Sequence, residues 1–85
     1  MSITPQPTPN PNALKFTVGV DVGGPATFVA GGDIDDPSAA EILQLDGVTS
    51  VFMTADFVTI SKTQDSDWET IAPEVTRILG DRFGG

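Results

Sequence analysis

Cysteine, histidine and tyrosine are all missing from this chain of 85 residues. Without thiolate or imidazole there is no zinc finger, no ligation of an iron–sulfur cluster by cysteine, no Ser-His-Asp triad and no Cys-His pair. Disulfides are excluded on the same ground. Basic residues are scarce as well, with 4 Lys and Arg against 12 Asp and Glu and a net charge of -8. That balance repels a phosphate backbone and an anionic membrane surface, so neither nucleic acid nor membrane is expected as a partner. No apolar run approaches the roughly 20 residues of a membrane span. Residues 1–12 have neither a basic nor an apolar segment of the targeting kind, which points to a cytoplasmic protein.

What is present is a small chain, 39% hydrophobic, with room for one domain. Pro5, Pro7, Pro9 and Pro11 alternate near the start, which removes amide donors and forbids a helix. Residues 1–7 therefore read as a flexible tail, and residues 8–83 as the domain. Pro9-Asn10-Pro11-Asn12 suits a turn held by its own Asn side chains. Ala13 to Val18 alternates, with Leu14, Phe16 and Val18 on one face and Lys15 and Thr17 on the other. Glycines and a proline over residues 19–25 supply a chain reversal before a second strand, Ala26 to Ala30.

Asp36 before Pro37 has the form of a helix cap followed by proline at the first helical position, and the helix is expected to reach about Leu45 with Gly47 as a left-handed cap. Val48 to Thr54 and Phe57 to Lys62 flank Ala55-Asp56 as a tight hairpin. Val51 and Met53 should share a face with Val58 and Ile60, leaving Phe52, Phe57 and Thr59 on the other. Ser66 and Glu69 read as a reciprocal capping box. Trp68, Ile71, Ala72, Val75, Ile78 and Leu79 then recur at helical spacing, with Pro73 expected to kink or tighten that helix. The sum is an α+β fold of two layers in the order β-β-α-β-β-α. It is a four-stranded, mostly antiparallel sheet with two helices on one face and the other face open to water or a partner.

The stretch Thr8-Pro9-Asn10-Pro11-Asn12-Ala13-Leu14-Lys15-Phe16 resembles the opening of the N-terminal domain of Nfu-type (NifU-like) iron–sulfur cluster scaffold proteins. Later stretches agree: Pro37-Ser38-Ala39-Ala40 through Leu45-Asp46-Gly47-Val48, the hairpin Val51 to Lys62, then Asp67-Trp68 and Pro73. The resemblance covers residues 8–79 and implies the two-layer fold described above. In that family the cluster is held by a C-x-x-C pair in a separate C-terminal domain, and this chain has no cysteine. The resemblance therefore implies an accessory or protein-interaction role near cluster assembly or delivery, by a chain similar to the free-standing versions of this domain in some bacteria. Cluster carriage through its own thiolates does not follow.

The candidate partner-binding residues are Pro9, Asn10, Pro11, Asn12, Lys15, Phe52 and Phe57. Each has a structural alternative. The Asn-Pro segment can simply lock the entry of the first strand, Lys15 can be solvated, and Phe52 with Phe57 can be a cross-strand pair that stiffens the hairpin as readily as an interface. Asp33, Asp35, Asp36 and Glu41 offer oxygen ligands but lack the spacing of a calcium loop, so no metal site is expected. Gly23-Gly24 and Gly31-Gly32 belong to turns, since no phosphate-loop pattern surrounds them. No nucleophile–base pair exists, so no catalytic residue, cofactor or enzymatic activity is expected. The alternatives are a carboxylate-based iron or divalent-metal binding protein and a structural homo-oligomeric module. The expected state is a monomer or weak homodimer.

Overall fold

The computed structural model describes residues 3–22 and 24–83. Seven elements follow in order: β1 (Thr4–Pro7), β2 (Ala13–Thr17), β3 (Ala26–Val29), α1 (Pro37–Leu43), β4 (Val48–Thr54), β5 (Phe57–Lys62) and α2 (Trp68–Phe83). They build an α+β fold whose single five-stranded sheet has the order β1-β2-β5-β4-β3. Every neighbouring pair is antiparallel.

In the sheet, two features differ from the sequence reading. Within the expected tail, Thr4–Pro7 forms a fifth strand at the sheet edge, opposite Leu14 to Thr17; Met1 and Ser2 lie outside the described residues. Alternate prolines are compatible with a strand when all their nitrogens face away from the neighbouring strand, a placement open only to an edge. The second difference is that β2 and β3 do not pair with each other. The longer β4–β5 hairpin lies between them, because its two strands carry five of the buried apolar side chains (Val48, Val51, Met53, Val58 and Ile60) and belong at the sheet centre.

One face of the sheet carries the core. Phe16, Val51, Met53, Val58 and Ile60 project from it, joined by Val18 just past β2. Ala39 and Ile42 of α1 and Ile71, Val75, Ile78 and Leu79 of α2 complete the same cluster, so both helices cover this face. Each fully buried Val, Ile or Leu contributes about 1.5–3 kcal/mol relative to exposure. A register shift between Val48 and Ser50 explains why Val48 and Val51 are both buried although three positions apart.

Local signals set the helix starts. Asp36 caps α1 by accepting the amides of Ser38 and Ala39 at 2.9 and 3.2 Å. That helix ends at Leu43 with Gln44 as a right-handed cap, earlier than expected. Gly47 has a φ of +94 but serves the turn into β4, where its carbonyl accepts from Thr63 N–H at 2.8 Å. The expected capping box is not formed at the start of α2. Asp67 accepts from Glu69 N–H at 3.0 Å, while the Ser66 hydroxyl pairs with that of Thr63. Asp67 lies one residue nearer the first helical position, and its carboxylate is the better acceptor. Pro73 sits inside α2, which continues through it to Phe83.

Candidate functional site

The sheet face opposite the helices carries short polar side chains and a few aromatic ones. Following the strand registers, one row across it is Gln6, Lys15, Thr59, Phe52 and Thr27, and the next is Thr4, Thr17, Phe57 and Thr54. Phe52 and Phe57 are diagonal neighbours across the β4–β5 pair, as the alternation predicts. Phe52 is 36% exposed. Phe57 is half-buried because Lys15 lies over it, with Nζ 4.4 Å from the ring centroid. A cation at that distance is held by the ring's negative face.

The electrostatics of this face follow from where the acidic residues lie. None of the five strands contains Asp or Glu. Arg77 sits among Glu41, Glu74 and Asp81 at 3.5, 3.2 and 3.7 Å, and Arg82 lies over Phe83. Lys62 is committed to the Asn-Pro loop. Among the described residues, Lys15 is thus the one charged side chain that the strands place on the open face, in a chain that as a whole is strongly negative.

Residues 8–12 form the connection between β1 and β2, and their polar groups bond inward. Thr8 Oγ1 donates to the carbonyls of Asn10 and Ala13, both at 2.9 Å. Asn10 Oδ1 accepts from Asn12 N–H at 2.9 Å, and Asn12 Oδ1 accepts from Lys62 Nζ at 3.1 Å. Trp68 Nε1 donates to the Pro11 carbonyl at 3.0 Å. These bonds fix the shape of the segment and the entry of β2. Pro9, Asn10 and Pro11 remain exposed at the end of the β1–β2 hairpin.

The acidic residues near α1 do not converge. Burial pushes the Asp36 carboxyl up, but hydrogen bonds from the Ser38 hydroxyl and from the amides of Ala39 and Ser38 outweigh it and hold the group below the usual carboxylate range. Glu41 faces Arg77. Among the described residues no three acidic side chains are grouped to hold a metal ion. A cleft of about 190 Å³ lies between the helices, lined by Pro37, Ser38, Glu41, Ile78, Asp81 and Arg82. It is smaller than the roughly 300 Å³ at which small-molecule sites begin. No helix among the described residues is long and apolar enough to cross a membrane.

Sequence reasoning located Lys15, Phe52 and Phe57 on the open face but overlooked Val29, 53% exposed beside Phe52 at the β3 edge. The signal was available: Ala26-Thr27-Phe28-Val29 is uncharged and proline-free between two turn segments.

The fold and this surface together define a small two-layer domain with one face of its sheet uncovered. Residues 3–84 match the family model described as the scaffold protein Nfu/NifU N-terminal domain, and the chain belongs to that family. It is 44% identical over 87 residues to the NFU1 iron-sulfur cluster scaffold homolog, mitochondrial, of Drosophila erecta, covering 98% of this chain and 31% of that protein. A NifU-like protein of Schizosaccharomyces pombe is 38% identical over 82 residues, covering 91% of this chain and 32% of its own length. The chain thus spans about a third of the curated relatives it matches. The fly protein is mitochondrial by name, a compartment different from the cytoplasm expected from the sequence. Among solved structures, a Staphylococcus aureus protein superposes with a TM-score of 0.77 at 32% identity, covering 93% of this chain and 99% of that one. A NifU-like protein of Saccharomyces cerevisiae gives 0.80 at 29% identity, covering 96% and 77%. The residues of this chain do not fit an iron–sulfur cluster, since cysteine and histidine are both absent.

Proposed function

We propose that this chain is a non-catalytic interaction module that assists iron–sulfur cluster assembly or delivery, with the cluster as cargo of a partner protein. Contact runs through the open sheet face around Lys15, Phe52 and Phe57, with Pro9 to Asn12 at the end of the adjoining hairpin. The observation that carries this reading is the open face itself, whose strands bear two aromatic rings, one cation and no carboxylate. Aromatic side chains are enriched at interface centres, where charged residues are depleted. Lys15, already oriented over Phe57, is placed to meet a carboxylate of the partner, and a partner of that kind would be steered away from the acidic helical layer.

The test is anaerobic affinity capture of the tagged chain from its native cell extract, beside a Phe52→Ala, Phe57→Ala double variant of verified fold. Enrichment of cluster scaffold, carrier or client proteins by the wild type alone supports the reading. Capture that survives in the double variant moves the contact surface elsewhere. If the folded wild type enriches no cluster protein, the reading fails.

A further inference from the structure

The two edges of the sheet differ in what their backbones offer. Lys62 N–H donates to Asn12 O, and Val18 N–H to Asp56 O, both at 2.8 Å. In an antiparallel ladder hydrogen-bonded pairs alternate with non-bonded ones. Continuing that phase, Leu14 and Phe16 bond toward β5, while Lys15 and Thr17 bond toward β1, opposite Gln6 and Thr4. Pro5 and Pro7 are then the residues whose nitrogens face outward, and neither has a hydrogen to offer. The β1 edge is closed to a further strand.

The β3 edge has no such closure. Ala30 N–H donates to Thr49 O at 3.0 Å, which continues the β3–β4 ladder and assigns Phe28 and Ala26 as the residues bonded toward β4. Thr27 and Val29 therefore turn their backbone groups outward. One of these, the Val29 carbonyl, already accepts from Gly32 N–H at 3.0 Å. The strand is neutral and β-prone throughout, and Val29 and Phe52, the two exposed large apolar residues among those described, lie in it and beside it.

We propose that β3 is a self-pairing edge, on which β3 of a second copy docks antiparallel with Thr27 opposite its symmetry mate. Self-complementarity argues for a second copy as the occupant. In this register the two Thr27 residues exchange both backbone hydrogen bonds, and each Val29 N–H faces the carbonyl of Pro25 in the other copy. The two groups that have nothing to give, the Pro25 nitrogen and the already engaged Val29 carbonyl, fall opposite each other. Val29 and Pro25 also form an apolar cross-strand pair on the open face. No strand carries a carboxylate, so two chains of net charge -8 would pair along backbones free of acidic side chains. The result is one continuous sheet with a doubled open face, formed by an isologous contact. The contact is small and belongs to the weak, transient class of interface.

Sedimentation equilibrium of the purified chain tests this without any partner, and so independently of the proposed function. Measured up to about 1 mM protein, the wild type should show a monomer–dimer equilibrium. Raising the salt from about 0.02 to about 0.2 M should tighten it, because the opposing charge is long-range and screened. Thr27→Pro removes only an outward donor, and Val29→Lys charges the edge; each should weaken association by about tenfold or more. In the wild type, amide exchange at Thr27 and Val29 should slow on concentration, which decides the matter even if Thr27→Pro fails to fold. A monomer mass throughout overturns the proposal, as does a dimer unaffected by Val29→Lys or one that leaves both amides unprotected.

Discussion

The Trp68 indole N–H donates to the Pro11 carbonyl at 3.0 Å, joining the first turn of α2 to a loop 57 positions earlier in the chain. Lys62 completes the junction, with Nζ 3.1 Å from Asn12 Oδ1 and 5.7 Å from the centroid of the Trp68 ring. The shape of the Asn-Pro segment thus depends on a helix and a strand distant in sequence as well as on its own turns. Replacing Trp68→Phe keeps an aromatic ring and removes the donor, and should lower stability by about 1 kcal/mol. Denaturant unfolding followed by far-UV circular dichroism measures the loss, and a loss near zero would show that water replaces the bond.

Gly47 and Gly31 both have positive φ, at +94 and +85, yet they should respond differently to alanine. A Cβ at Gly47 would run into the Ser66 side chain, whereas at Gly31 it would meet nothing within 4 Å. Gly31→Ala should cost about 1 kcal/mol from conformation alone. Gly47→Ala should cost clearly more, because the Ser66–Thr63 contact must also shift. Equal midpoints for the two variants in thermal unfolding would contradict this.

Ala55, in the two-residue turn between β4 and β5, is a non-glycine residue at a φ of +51. The turn is held there from outside: Val22 N–H donates to the Ala55 carbonyl at 2.9 Å, and Val18 N–H to the Asp56 carbonyl. Ala55→Gly relieves the left-handed strain and should raise stability by about 0.5–1 kcal/mol, net of the added freedom of the unfolded chain. A fall in the unfolding midpoint would show that the backbone is not strained at this position.

Asp36 should give stability a distinct pH dependence. Its folded-state carboxyl lies below the ordinary range, so the unfolded chain binds the proton more readily. The resulting stability is present at neutral pH and is lost as pH falls through the unfolded value of about 3.9 toward the lower folded value. Asp36→Ala should cost about 1 kcal/mol at pH 7 through loss of the cap. The gap between wild type and Asp36→Asn should narrow below pH about 4. Urea titrations at several pH values would reveal a constant gap if the carboxylate charge contributes nothing.

How much of this was legible in the chain can be judged residue by residue. The pattern Leu14, Phe16, Val18 and the pair Val51, Met53 against Val58, Ile60 gave the core face correctly, because side chains alternate in a strand and a helical layer can cover only one face. Phe52 and Phe57 were placed on the open face by the same rule. The first strand was hidden because Pro5 and Pro7 are unfavourable in strands in general. Only the phase of β2 makes them acceptable, and that phase is set by β5 on the other side. Likewise Ser66 has every local feature of a cap, but Asp67 takes that role while Ser66 bonds Thr63.

The amino-acid sequence by itself ruled out thiolate and imidazole chemistry, marked six of the seven elements and indicated the core face of β2, of the β4–β5 hairpin and of α2, since composition, turn residues and periodicity act locally. Tertiary structure alone decided the order of the strands, which edge the prolines close and which is left open, and how Trp68 and Lys62 hold the Asn-Pro loop. Those outcomes depend on hydrogen-bond phase and contacts between residues far apart in the chain, and short-range propensities carry no information about either.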